Sequence, residues 1–123
     1  MTNRVLIVDD ALIMRKRIKE IAERAGWTVV GEASNGEEAL EVYDRERPDL
    51  TTLDIVMPKM DGVTALKRII EADPSARIAM ISAVDQRDKL TECIQSGAID
   101  FIVKPFNAER LTSFFDKYLV ASS

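Results

Sequence analysis

Two periodicities alternate five times along these 123 residues, and that order leaves few folds open. Short, near-continuous apolar runs occur at Val5–Val8, Thr28–Val30, Leu50–Leu53, Ile78–Ile81 and Ile99–Val103. They are rich in β-branched residues, as strands covered on both faces tend to be. Leu50-Thr51-Thr52-Leu53 is more polar than a central strand usually is, yet threonine's β-branching suits the pleat. Between the runs the spacing becomes helical. Met14, Ile18, Ile21 and Ala25 fall at i, i+4, i+7 and i+11, one stripe of a helix. Ala39, Leu40 and Tyr43 form a second stripe, and Val63, Leu66, Ile69 and Ile70 a third. Leu90 with Ile94, then Leu111, Phe114, Phe115 and Tyr118, complete the set. All five stripes, like Met14, Met60 and Met80, are read as core.

The punctuation agrees with this division. Gly26, Gly31, Gly36, Gly62 and Gly97 fall at or beside the predicted boundaries, and Pro48, Pro58, Pro74 and Pro105 lie in the connections. A strict β/α alternation predicts a parallel sheet with helices on both faces, because each right-handed crossover must cover a face. Five units are too few for an eightfold barrel, so an open, doubly wound α/β sheet remains.

Length and composition narrow the function classes. The chain is read as a single domain over residues 1–123, with no internal linker and no output domain after it. No apolar run approaches the ~20 residues of a membrane helix, and the N-terminus lacks a charged-then-apolar leader. A cytoplasmic location without membrane insertion is the expectation. A net charge of −4 with no basic cluster argues against nucleic acid as a partner. Cys93 stands alone between Leu90, Ile94 and Ala98, as a small core residue does. Histidine is absent, which removes the commonest acid–base group and the phosphohistidine donor together. Chemistry here must run on carboxylates, hydroxyls and amines.

In doubly wound sheets ligands bind beyond the carboxyl ends of the strands. Asp9-Asp10 follow the first run, Asp54 the third, Ser82 the fourth and Lys104 the fifth. The second run adds no such group, as expected of an outer strand. One aspartate after one strand is an ordinary cap or turn former, and one lysine an ordinary surface charge. Five polar groups at corresponding positions of four strands are not so explained. Two like charges about 4 Å apart repel by roughly 4 kcal/mol at an effective dielectric near 20. That is a sizeable part of a domain's stability of about 5–15 kcal/mol. Crowded carboxylates therefore point to a hard dication with oxygen ligands. Magnesium fits, since it takes a few carboxylates and accepts phosphate oxygens, and no EF-hand loop argues for calcium. A carboxylate beside magnesium, a hydroxyl and an ammonium is a phosphoryl-transfer site in outline.

Val5-Leu6-Ile7-Val8-Asp9-Asp10, the stretch Leu53-Asp54-Ile55-Val56-Met57-Pro58-Lys59-Met60-Asp61-Gly62, Ile81-Ser82-Ala83 and Phe101-Ile102-Val103-Lys104-Pro105-Phe106 resemble the four signature segments of bacterial response-regulator receiver domains. Gly31-Glu32-Ala33-Ser34-Asn35-Gly36 and the following Glu37-Glu38-Ala39 are similar to receivers as well. The likeness spans the chain, and among subtypes it is to stand-alone chemotaxis regulators of the CheY kind.

The resemblance implies a flavodoxin-like strand order 2-1-3-4-5. It implies Asp54 as phosphoacceptor, charged from the phosphohistidine of a sensor histidine kinase. Asp10, Asp54 and the Val56 carbonyl would hold Mg2+, with Asp9 acting largely through water. Lys104 would clamp the phosphate, next to a cis bond to Pro105. Ser82 and Phe101 stand at the switch positions. Serine keeps the hydroxyl of the usual threonine but lacks the methyl that restricts its rotamer. Phenylalanine keeps a turning ring but lacks tyrosine's hydroxyl. Output would pass through the face of the fourth helix, fifth strand and fifth helix to a partner protein such as the flagellar motor switch. The protein would be a switch and not a turnover enzyme.

Two rivals stand beside this expectation. One is a receiver-fold interaction module that works without phosphorylation, which the intact acidic and lysine positions disfavour. The other is a magnesium phosphatase of the aspartyl-phosphate type. Such enzymes usually carry a second aspartate two residues after the nucleophile, where this chain has the adjacent pair Asp9-Asp10 and then Ala11.

Overall fold

The structure, a computed structural model, describes residues 3–83 and 85–119. Its elements run β1 (Asn3–Val8), α1 (Leu12–Arg24), β2 (Trp27–Ala33), α2 (Gly36–Glu46), β3 (Leu50–Asp54), α3 (Gly62–Ala72), β4 (Ile78–Ala83), α4 (Arg87–Gln95), β5 (Asp100–Lys104) and α5 (Ala108–Tyr118). The strands form one sheet in the order β2-β1-β3-β4-β5, and every pairing is parallel. This is the doubly wound, flavodoxin-like order expected above, with β2 on one edge and its chain reversal between β1 and β3.

Successive residues of a strand point to opposite faces, and the core divides accordingly. Leu6, Val8, Leu53, Ile78 and Met80 pack with Val42, Tyr43, Leu66 and Ile69, beneath α2 and α3. Val5, Ile7, Leu50, Ala79, Ile81 and Ile102 pack with Ile18, Ile21, Leu111, Phe114 and Phe115, beneath α1 and α5. Trp27 joins this second cluster and donates its indole N–H to the Phe115 carbonyl at 3.0 Å, which ties α5 to the edge strand. Thr51 and Thr52 are fully buried in the central strand, as a β-branched pair can be, and their hydroxyls have no partner.

Four expectations need correction. The second strand extends to Trp27–Ala33, well beyond Thr28–Val30, because its edge position leaves Thr28 to Glu32 half-exposed or exposed and shortens the apolar signal. Gly31 is inside that strand, where the β1–β2 register shifts, and not at a boundary. A Cβ there would come within 2.5 Å of Val42 Cγ1. On α4 it is Cys93 that is fully buried, while Ile94 of the predicted stripe is 43% exposed and Leu90 is partly covered. The fifth strand begins one residue later than predicted, at Asp100, although Ile99 N–H already bonds the Ile78 carbonyl at 2.8 Å.

The connection from β3 to α3 is folded back against the strand end. Gly62 N–H donates to the Ile55 carbonyl at 2.7 Å, and a Cβ on Gly62 would meet the Asp54 carbonyl oxygen at 2.0 Å. Gly36 N–H donates to Met60 at 2.9 Å from the other side, again with no room for a Cβ. Asp61 caps α3 through the Thr64 amide. Asn35 and Asn107 cap α2 and α5 in the same way. These contacts hold the loop that follows Asp54 against the body of the sheet.

Candidate functional site

The predicted rim residues come together at the carboxyl ends of β1, β3, β4 and β5. Asp54 is the last residue of β3 and Lys104 the last of β5. Lys104 Nζ lies 2.9 Å from Asp9 Oδ2 and 3.2 Å from Asp54 Oδ2, bridging two carboxylates from neighbouring strands. Asp9 and Asp54 are buried, whereas Asp10 faces solvent. One oxygen of each lies within 4.8 Å of the others.

Asp9 is held on all sides. Its N–H donates to the Ala33 carbonyl at 3.1 Å, and its Oδ1 accepts the Ala11 amide at 2.9 Å. Its carbonyl accepts from Arg15 Nη1 at 2.7 Å. A second α1 arginine, Arg17, donates to the Phe106 carbonyl at 3.0 Å and lies over the Phe106 ring, just beyond the Lys104–Pro105 cis bond. Neither arginine was legible as a site residue. At the level of periodicity each is a polar position on a surface helix.

Burial raises the Asp54 carboxyl above the ordinary carboxylate range. The Lys104 charge opposes that rise, while Asp9 and Asp10 add to it. Burial also works against the Lys104 charge, but the hydrogen bond to Asp9 and the charges of Asp54 and Asp9 outweigh it, so the ammonium is held above its usual value. Three carboxylates and one ammonium leave an excess of negative charge of two in the cluster. An all-oxygen donor set this compact suits magnesium. The uncompensated charge and the backbone that folds over Asp54 are therefore in keeping with a dication. Val56 lies on the open side, 47% exposed, in the loop after Asp54.

Ser82 lies in β4 and Phe101 in β5, and neither takes part in the lysine bridge. Ser82 shares the parity of Ile78 and Met80 and is 1% exposed, and its Oγ has no hydrogen-bond partner among the described residues. Phe101 is turned outward, 39% exposed. Between them is a cavity of about 300 Å³ lined by Ser82, Ala83, Arg87, Leu90, Phe101 and Val103. Outside it, Leu90, Ile94 and Phe101 border an apolar groove along α4. A buried hydroxyl and an outward-turned ring thus line the same cavity.

Residues 5–116 match the response regulator receiver domain family. The chain is 52% identical over 119 residues to the chemotaxis protein CheY of Bacillus subtilis, covering 97% of this chain and 99% of that protein. It is 49% identical over 117 residues to CheY of Thermotoga maritima, covering 95% and 98%. Among solved structures, the CheX–CheY–BeF3–Mg+2 complex from Borrelia burgdorferi superposes with a TM-score of 0.89 at 38% identity, covering 96% of this chain and 90% of that one. Fold, acidic rim and sequence agree that the chain belongs to the response regulator receiver domain family, as a regulator of the CheY type.

Proposed function

We propose that Asp54 accepts a phosphoryl group from the phosphohistidine of a sensor histidine kinase, and that the phosphorylated chain acts on a partner protein in chemotaxis. The observation that carries this is the bridge from Lys104 Nζ to Asp9 and Asp54 beside the solvent-facing Asp10. An Asp54 carboxylate oxygen forms the bond to phosphorus as the phosphorus–nitrogen bond of the donor breaks, and the imidazole keeps that electron pair. Lys104 faces the phosphoryl oxygens from one side and neutralises charge that builds on them. Asp10, Asp54 and the Val56 carbonyl would hold Mg2+, with Asp9 acting through water. Bound there, the ion supplies charge neutralisation at the transferring group.

Ser82 Oγ, buried and unpaired, is the donor available to a phosphoryl oxygen on Asp54. Movement of Ser82 toward the rim enlarges the cavity behind it, and the Phe101 ring has room to turn in. The face of α4, β5 and α5 then changes from exposed-ring to buried-ring form. A partner such as the flagellar motor switch reads the population of the second form, since a ligand shifts a two-state equilibrium only by its differential affinity. Residues 1–123 work in this scheme as one receiver unit, a switch that takes on and sheds its own phosphoryl group and turns over no separate substrate.

Incubation with radiolabelled acetyl phosphate and magnesium tests the acceptor. Wild type should take up label and Asp54→Asn should take up none; equal labelling of the two sinks the assignment. A pull-down with the beryllofluoride-treated protein tests the output, and partner capture that ignores the treatment removes the switch.

A further inference from the structure

We propose that Arg15 is a positioning residue for the metal site, holding the Asp9-Asp10 turn by its backbone so that both carboxylates keep their places against Asp54. This rests on the magnesium-dependent function proposed above. From the helix side the turn has one other hold, the Ala11 amide donating to Asp9 Oδ1 at 2.9 Å. α1 begins after Ala11, which offers no side-chain cap, and its first turn carries no acidic residue. The Asp10 side chain makes no hydrogen bond among the described residues, so its location follows from the backbone that carries it. That backbone is gripped at the Asp9 carbonyl by Arg15 Nη1 at 2.7 Å.

Arg15 is itself braced. Its Nε lies 3.2 Å from Glu32 Oε1, and its side chain is only 15% exposed although it stands on a surface helix. Glu32 belongs to β2 and pairs in register with Ile7, two residues before Asp9. A rigid strand therefore supports the guanidinium, which supports the turn. The planar fork serves both acceptors at once, which a lysine's point charge does not reproduce. Because Glu32 already balances the guanidinium, the role assigned to Arg15 is geometric and not one of supplying charge.

Geometry and charge predict opposite signs. Removing a cation near an anionic cluster tightens magnesium binding, whereas loosening the ligands weakens it. The experiment is calorimetric titration of the purified full chain with MgCl2, alongside metal-free melting curves. Outer-shell partners of metal ligands typically contribute about 10–100-fold in affinity, so Arg15→Ala should bind magnesium at least ~10-fold more weakly than wild type. Affinity in Arg15→Ala that is unchanged or tighter overturns the proposal, whatever the melting temperature does. Should Arg15→Ala fail to fold, Arg15→Lys decides: it keeps the charge and should still bind several-fold more weakly, and wild-type affinity overturns the proposal. Wild-type protein that binds no magnesium overturns the proposed function as well, so the two failures are distinct.

Discussion

At the carboxyl ends of the strands three carboxylates gather, two of them bridged by one lysine, and a buried serine hydroxyl has no partner among the described residues. At the amino ends the same sheet carries charges that are matched locally. Arg4 donates to the Glu46 carboxylate and carbonyl, and its own amide donates to Asp49 at 2.9 Å. Tyr43 donates to Asp73 Oδ2 at 2.7 Å, and Arg47 Nη1 lies 3.6 Å from the same oxygen. Tyr118 donates to Asp100 at 2.8 Å, and Arg77 donates to the Tyr118 carbonyl. The contrast separates two uses of charge. One end spends its polar groups on closing the fold, and the other holds an excess of negative charge.

The largest test of this contrast compares two lysines. Lys104→Ala leaves the buried Asp9 and Asp54 without their shared cation, and breaking a buried pair costs about 3 kcal/mol or more. Lys117→Ala removes an exposed partner of Asp100 and should leave the midpoint close to that of wild type. Urea denaturation at neutral pH without metal measures both; similar midpoints would erase the distinction between the ends.

A smaller effect isolates the excess charge. Asp10→Asn should stabilise the metal-free protein, because Asp10 faces solvent, where a like charge near 4 Å costs about 1 kcal/mol. The melting temperature should rise by about 3 °C or more. Magnesium should raise the wild-type melting temperature and do so much less in Asp10→Asn. A melting curve indifferent to both changes would mean that the rim is as well satisfied as the amino end.

The smallest expected effect lies in acid. Burial works against the Asp100 carboxylate, but the Phe101 amide, Tyr118 hydroxyl and Lys117 outweigh it and lower its proton affinity. A carboxyl lowered in the folded state contributes stability that is fully present above its ordinary value of 3.8 and is lost as pH falls through the lowered value. Asp100→Asn should therefore flatten the acid limb of melting temperature against pH below about pH 4. Asp54, raised by burial, has the opposite sign: it takes up a proton more readily folded than unfolded, so its contribution is lost as pH rises. An acid limb that is the same in Asp100→Asn and wild type would break the account of the amino end.

Much of this was legible in the residues. The β-branched runs and helical stripes carry the fold because burial on both faces of a parallel sheet demands them; Asp9 and Asp10 follow β1, Asp54 and Lys104 end β3 and β5, and Ser82, expected just after its strand, is the last residue but one of β4. The misses have physical causes. Edge exposure shortened the apolar signal of β2, and α4 leaves Ile94 of the expected stripe exposed while Cys93 is buried as expected. Gly31 reads as punctuation until the Val42 side chain is seen against it.

From sequence alone came the order of strands and helices, the face each stripe buries, and which chemical groups end each strand, because all of these depend on local spacing and on what water excludes. The distances came only with the tertiary structure. Lys104 meets Asp9 and Asp54 across 95 and 50 residues, and Arg15 reaches the Asp9 carbonyl while Glu32 braces it. Long-range contacts of this kind leave no period in the chain, since they are set by how twisted strands and packed helices come to rest against one another. The same holds for the unpartnered Ser82 hydroxyl and the cavity beside it: a hydroxyl is written in the sequence, but whether anything answers it is decided by packing.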